Sequence, residues 1–398
     1  MRILIASDSF KGSLSSAQVA ENIKAGILRV YSDAQIKYIS VADGGEGTVE
    51  AVISGSGGKT VNTPVMGPDG KMLDSFFGIL EDGSAIIEMA AASGLPLVPE
   101  RERDIMKATT YGTGQLLKAA MDNGCMKIYI GVGGSATNDG GIGMAQALGA
   151  SFKDDRGEEV GFGGGQLSRI AKIDVSRMDE RLRRTEIIVM SDVTNPLCGP
   201  SGASAVYGPQ KGASPEQVVL LDEGLSHLAK VIEEEETLTI NIRNMKGAGA
   251  AGGLGGGLAA FTGAVIRSGI DAVLDMSHFA KKAEWADLII TGEGRIDYQS
   301  AYGKVISGIA GRAEKYGIPI AAIAGSLSEG AQEVYKIGIG CMEAAVCRPM
   351  PLEEAMGEKA GELVADAAER LMRGIRVGTM QRDRACYESL GTPHNRLQ

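Results

Sequence analysis

Histidine is nearly missing from this chain, with His227, His278 and His394 the only three in 398 residues. His227 falls on an expected helix and His394 in the tail, so a histidine-centred nucleophilic triad has little to be built from. Cysteine is scarce as well. Cys125, Cys198, Cys341, Cys347 and Cys386 form an odd set with no CxxC pair, which argues against both a disulfide framework and a thiolate zinc site. No apolar run approaches the ~18 residues of a membrane span. The opening MRILIASDSF reads as a strand rather than a signal peptide, because Asp8 closes its short apolar run. Positive charge is in deficit too: 40 Lys and Arg stand against 50 Asp and Glu, a net −10. That balance argues against nucleic acid or an anionic membrane surface as partner. What remains is a cytoplasmic protein acting on a small molecule, with self-association left open.

Glycine is what the chain has in excess. Its 57 residues are about twice the usual share, clustered rather than periodic. The length allows two cores, since single cores rarely grow past about 250–300 residues. In IYIGVGGSATNDGGIG (Ile128–Gly143) a short apolar strand runs into glycines interleaved with Ser135, Thr137, Asn138 and Asp139, and then into a helix. Such a turn lets backbone N–H groups and a helix N-terminus approach an anion. The same texture recurs. Ile3–Ala6 ends in SDSFKGS, Ile36–Val41 in DGGEGT, Glu186–Met190 in SDVTNP and Ala286–Ile290 in TGEGRID. Strands that close on acids and glycines, alternating with helices, predict doubly wound α/β architecture with ligands at the C-terminal sheet edge.

Two tempting motifs carry less. GGKT at Gly57–Thr60 lacks the first Walker glycine, where Ile53 stands, and precedes a strand-like VNTPV. GAGAAG at Gly247–Gly252 fits GxGxxG but follows Asn244-Met245-Lys246 instead of a strand, so it reads as a second ligand-cradling loop or as close helix packing. Residues 151–184 read as an irregular polar excursion. The tail beyond 378 lacks apolar periodicity and is expected to be loosely ordered.

The motifs DSFKGSLSSAQVAENI, VADGGEGTVEA, IEMAAASGLPLVP, GVGGSATNDGGIGMAQALGA, SDVTNPLCGPSGASAVYGPQKGAS, GAGAAGGLGGGLAAF and TGEGRIDYQSAYGK closely resemble those of the bacterial glycerate kinase family of the first type. The match runs in order from Ile3 to about Gly374. The resemblance implies ATP-dependent phosphorylation of D-glycerate at its 2-hydroxyl. It also implies two α/β domains with the active site in the cleft between them. One is a Rossmann- or flavodoxin-like parallel sheet from residues 1–66 and 285–378; the other is an inserted domain at 67–284, with 379–398 as tail. Three features depart from the family pattern: Ser7 before Asp8, Ile306 where proline is expected after Gly303-Lys304-Val305, and the tail itself.

Phosphoryl transfer needs positioning, neutralisation of the triphosphate and Mg²⁺ held by one or two carboxylates. Lys11, Lys211, Arg295 and Lys304 are the natural anion holders. Asp192 is the expected general base, with Asp297 the competing one and Lys11 and Lys304 completing the catalytic set. Asp139 and Glu293 are the expected Mg²⁺ ligands. Asp8, Ser9, Asp43, Gly44, Gly45, Glu46, Gly133, Gly134, Ser135, Asn138, Asn195, Lys211, Gly292 and Arg295 are expected to bind substrate or nucleotide. Other readings are a kinase for another small hydroxy acid, a hydroxy-acid dehydrogenase, or a non-catalytic binder. The dehydrogenase reading suffers from a first βα turn with a single glycine.

Overall fold

A computed structural model describes residues 1–41, 47–238, 240–302 and 305–390, with 40, 54, 56 and 381–390 described by backbone alone. Its strands, in chain order, are β1 (Arg2–Ser7), β2 (Gln35–Ser40), β3 (Gly58–Met66), β4 (Met72–Leu80), β5 (Ala85–Glu88), β6 (Lys127–Gly131), β7 (Ser151–Lys153), β8 (Lys172–Asp174), β9 (Glu186–Met190), β10 (Val265–Arg267), β11 (Leu288–Ile296), β12 (Ile320–Leu327) and β13 (Ile339–Ala344). Among the described residues no helix is long and apolar enough to cross a membrane. The chain forms two compact units, residues 1–41 with 278–398 and residues 42–277.

The first unit joins both chain ends in a parallel sheet of order β13-β12-β11-β1-β2. That is the flavodoxin-like order, and its topological switch lies between β1 and β11, where Ser7 pairs with Gly292. Ile3, Ile5, Ile290 and Ile323 bury one face of the sheet against Val19, Ile23 and Ile27 of helix Ser16–Leu28 and Val364, Ala368 and Leu371 of helix Ala360–Leu390. A Ser15–Gln18 capping box starts the first of these helices. The second runs through to Leu390 instead of stopping near 378. No proline interrupts residues 379–390, so propagation continues once the packed part has nucleated the helix.

The second unit carries a six-stranded sheet of order β10-β9-β6-β5-β4-β3. β5, β6, β9 and β10 are parallel, and β3 and β4 are antiparallel additions. Because β3 pairs along its whole length with β4, the unit starts before the expected boundary at residue 67. At the other end, helix Phe279–Trp285 packs against β1, so the second crossing falls near 277 and not 284. Its core includes Phe77, Ile87, Ile130, Val189 and Leu228, and Phe152 meets Phe261 edge to face at 5.5 Å. The excursion at 151–184 is more ordered than its sequence suggests, with β7 and β8 forming a small antiparallel pair.

Candidate active site

Parallel strands β6 and β9 end side by side, Gly131 opposite Met190. The loops that leave them form a pocket of about 460 Å³, whose wall includes Gly133, Gly134, Ser135, Ser191, Asp192, Tyr207, Gln210, Lys211 and Ala251. Four of the expected site residues of this unit therefore share one surface with Asp192. The Asp192 side chain is exposed, and its Oδ1 accepts the Gly269 N–H at 2.9 Å. Asn195 stands behind the wall. It accepts from the Tyr207 hydroxyl at 2.8 Å and donates to the Ser201 carbonyl, so it positions Tyr207. Asn138 is fully buried and donates to Ser204 Oγ at 3.0 Å.

Lys211 is 3 % exposed although it lines the pocket. Its Nζ donates to the Thr137 carbonyl at 2.7 Å and to Ser135 Oγ at 3.3 Å. Burial pushes its ammonium down to about 7, against the opposing pull of the Asp139 charge.

Asp139 departs from the expected metal ligand. Its fully buried carboxylate accepts the N–H groups of Thr110, Gly141 and Gly143 and the Thr110 hydroxyl. The anion at the start of helix Ile142–Ala147 is thus the chain's own aspartate. Only the later part of the glycine-rich turn, residues 139–143, is closed from within. Burial pushes the Asp139 carboxyl up while these donors pull it down. Among the described residues no three acids, histidines or cysteines gather to hold a metal.

The GAGAAG loop packs instead of cradling. A Cβ at Gly252 would collide with the Thr137 carbonyl, and one at Gly257 with the Gly140 carbonyl. Only its Ala250 and Ala251 reach the pocket, and Ala251 sits at φ +53°, a strained setting for a non-glycine residue. No sequence signal marks that strain. Thr110, the partner of Asp139, stands immediately before helix Tyr111–Asp122.

In the first unit the expected residues cluster at the switch point. The Asp8 N–H donates to the Gly292 carbonyl at 2.9 Å, and Asp8 Oδ1 accepts the Ser9 N–H at 2.7 Å. Lys11 follows on an exposed turn. Buried Glu293 accepts from Ser300 Oγ. Asp297 caps the next turn by accepting the Gln299 N–H at 2.8 Å, with Arg295 Nε 3.8 Å from its Oδ2. Arg295 and Asp297 also line a depression of about 710 Å³ with Tyr298 and Tyr302, aromatics that the motif reading passed over. Asp43, Gly44, Gly45, Glu46 and Lys304 lie outside the described residues.

Known proteins match this chain over nearly its whole length. The glycerate kinase family profile matches residues 3–376. The chain is 47% identical to glycerate kinase of Bacillus subtilis over 376 residues, covering 94% of this chain and 97% of that one. It is 48% identical to glycerate 2-kinase of Escherichia coli, covering 89% and 93%. A crystal structure from Salmonella typhimurium LT2, described as a glycerate kinase 2, superposes with a TM-score of 0.87 at 45% identity, covering 96% of this chain and 99% of that one. On sequence and fold alike, this chain belongs to the glycerate kinase family.

Proposed function

We propose that the protein transfers the γ-phosphoryl group of ATP to the 2-hydroxyl of D-glycerate. The observation that carries this reading is the pocket at the ends of β6 and β9, in a chain that matches glycerate kinases along its length. It sets one lysine and one carboxylate beside the glycine loop after β6, which suits a small hydroxy acid better than a nucleotide base.

Asp192 takes the proton of the attacking hydroxyl. Its carboxylate is exposed and lines the pocket, and the Gly269 N–H orients it. In the first unit, Asp8, Ser9, Lys11, Gly292 and Arg295 serve the nucleotide. They stand at the switch point, where parallel sheets bind phosphates, and Lys304 is assigned with them from its sequence position. Asp297, committed to its cap, orients Arg295 and does not act as the base.

A Mg²⁺ ion fits the donor chemistry of Glu293, a hard carboxylate oxygen oriented by Ser300. Asp139 does not fit, because protein donors occupy its oxygens. When bound, Mg²⁺ would neutralise phosphate charge.

The test is ADP release across D-glycerate, glycolate, lactate and tartronate, with phosphorus NMR of the product. D-glycerate should be the preferred acceptor and 2-phosphoglycerate the first product. Turnover of another hydroxy acid without glycerate overturns the substrate, and initial 3-phosphoglycerate overturns the regiochemistry.

A further inference from the structure

Lys211 is a residue that folding alone does not explain. Among the described residues no acidic side chain lies within ion-pair distance of its Nζ. Two of its three N–H donors are met, by Thr137 O and Ser135 Oγ, and among the described residues the third has no acceptor. On the same pocket wall, the backbone N–H groups of Gly133, Gly134 and Ser135 donate to no group among the described residues. The loop that carries them is nevertheless pinned. Leu95 N–H holds the Gly134 carbonyl at 2.8 Å and Ala136 N–H holds the Ser93 carbonyl at 3.0 Å.

A pinned loop with unmet donors beside a buried ammonium is a preorganised anion site. Its charge indicates which anion. Among the described residues lining the pocket, Lys211 is the one cation and Asp192 the one acid. One positive charge matches a single negative charge. A triphosphate would bring three or four negative charges against Asp192 with one cation to balance them.

We propose that the Lys211 ammonium and the Gly133–Ser135 backbone N–H groups hold the carboxylate of the hydroxy-acid substrate. This leaves the hydroxyl end to Asp192. The assignment rests on the proposed function and names the part of the substrate that this wall reads. It makes Lys211 the residue that separates an acid from the corresponding neutral triol or amide.

The same donors could receive a phosphoryl oxygen of the nucleotide, so the experiment has an arm for each anion. Full-length wild type and Lys211→Met are titrated calorimetrically with D-glycerate, with D-glyceramide, and separately with ADP. Losing a charge-assisted contact should weaken D-glycerate binding roughly 10- to 100-fold. D-glyceramide and ADP should change by less than about two-fold, a margin set by the absence of any charged contact with either. The acid-over-amide preference therefore collapses in the variant, which a merely structural lysine would not produce. A melting temperature at or above wild type establishes that the variant is folded. Unchanged D-glycerate affinity overturns the proposal, and weakened ADP binding with intact glycerate binding reassigns the donors to phosphate. If wild type binds another hydroxy acid and not glycerate, the substrate reading fails, and the same comparison with that acid and its amide still decides the subsite. A wild type that binds no small hydroxy acid overturns both.

Discussion

Replacing Lys211 by Met should stabilise the protein, and the gain should shrink as pH rises. The folded chain holds this ammonium at about 7, against an ordinary 10.5. Between those values the unfolded chain keeps a proton that the folded chain has released, so wild-type stability rises with pH through that window. Linkage converts the depression into a folding cost of about 4–5 kcal/mol at pH 6 and about 2 kcal/mol at pH 9. Methionine removes the cost and its slope. It also forfeits the bonds to Thr137 and Ser135, about 1 kcal/mol each, but that loss is independent of pH. The slope is therefore the clean observable. A change of about 2–3 kcal/mol in the stability difference corresponds to roughly 5–10 °C for a unit of this size.

The groups around Lys211 do not imitate this signal. The Tyr207 phenol, pushed up by burial, stays neutral from pH 6 to 9. Asp139, and Arg103 beside Gly212, are present in both proteins. Scanning calorimetry of the two full-length proteins at pH 6, 7.5 and 9 gives the answer. A melting-temperature difference that stays flat with pH would refute the account of Lys211 as a buried charge.

Three further outcomes follow from single contacts. Asp139→Asn should cost about 2–4 kcal/mol, because four donors lose their anion and the amide group points N–H toward N–H; thermal melts check it, and an unchanged melt with a raised Mg²⁺ requirement would restore the metal role. Asp192→Asn should lower kcat on the order of 10²–10⁴ with little change in melting temperature or Mg²⁺ dependence, and kinetics at saturating glycerate and ATP would expose a merely structural Asp192 by leaving kcat near normal. Asp179, held at about 2 chiefly by its hydrogen bond from Arg181, should contribute about 1 kcal/mol near neutral pH after allowance for partial exposure. A depressed carboxyl contributes above its unfolded value near 4 and loses that contribution as pH falls towards 2, so urea midpoints of Asp179→Asn should converge on wild type in acid.

What the sequence made legible was the part governed by local rules. Apolar runs placed β1, β6 and β9 to within a residue or two, while β11 runs on to Ile296 instead of ending at Ile290. The strand-end acids and glycines stand at the ends of parallel strands β1, β6, β9 and β11. β7 and β8 escaped notice because three-residue strands are too short to show a period. The unit boundaries were displaced because pairing of β3 with β4 is a long-range choice that no turn signal announces. Asp139 and Lys211 show the sharper limit. Both stood out by type and position, yet the direction of a side chain is set by tertiary partners. Asp139 turned inward to Thr110, Gly141 and Gly143, while Lys211 lines the pocket.

That pair also answers how a chain of net charge −10 can hold an anionic substrate. The global field matters little at a buried site, because the low local dielectric gives neighbouring charges the larger voice. Asp139 is the neighbour that counts. Burial alone would drive Lys211 to its neutral form, and the Asp139 charge opposes that shift. Burial pushes the Asp139 carboxyl up, and the backbone donors offset part of that push. One acid of the excess is thus used internally to keep one lysine protonatable. On this reasoning Asp139→Asn, even where it folds, should weaken D-glycerate binding more at pH 8 than at pH 6, since Lys211 would then lose its proton at lower pH. Equal weakening at both pH values would break the link between the two residues.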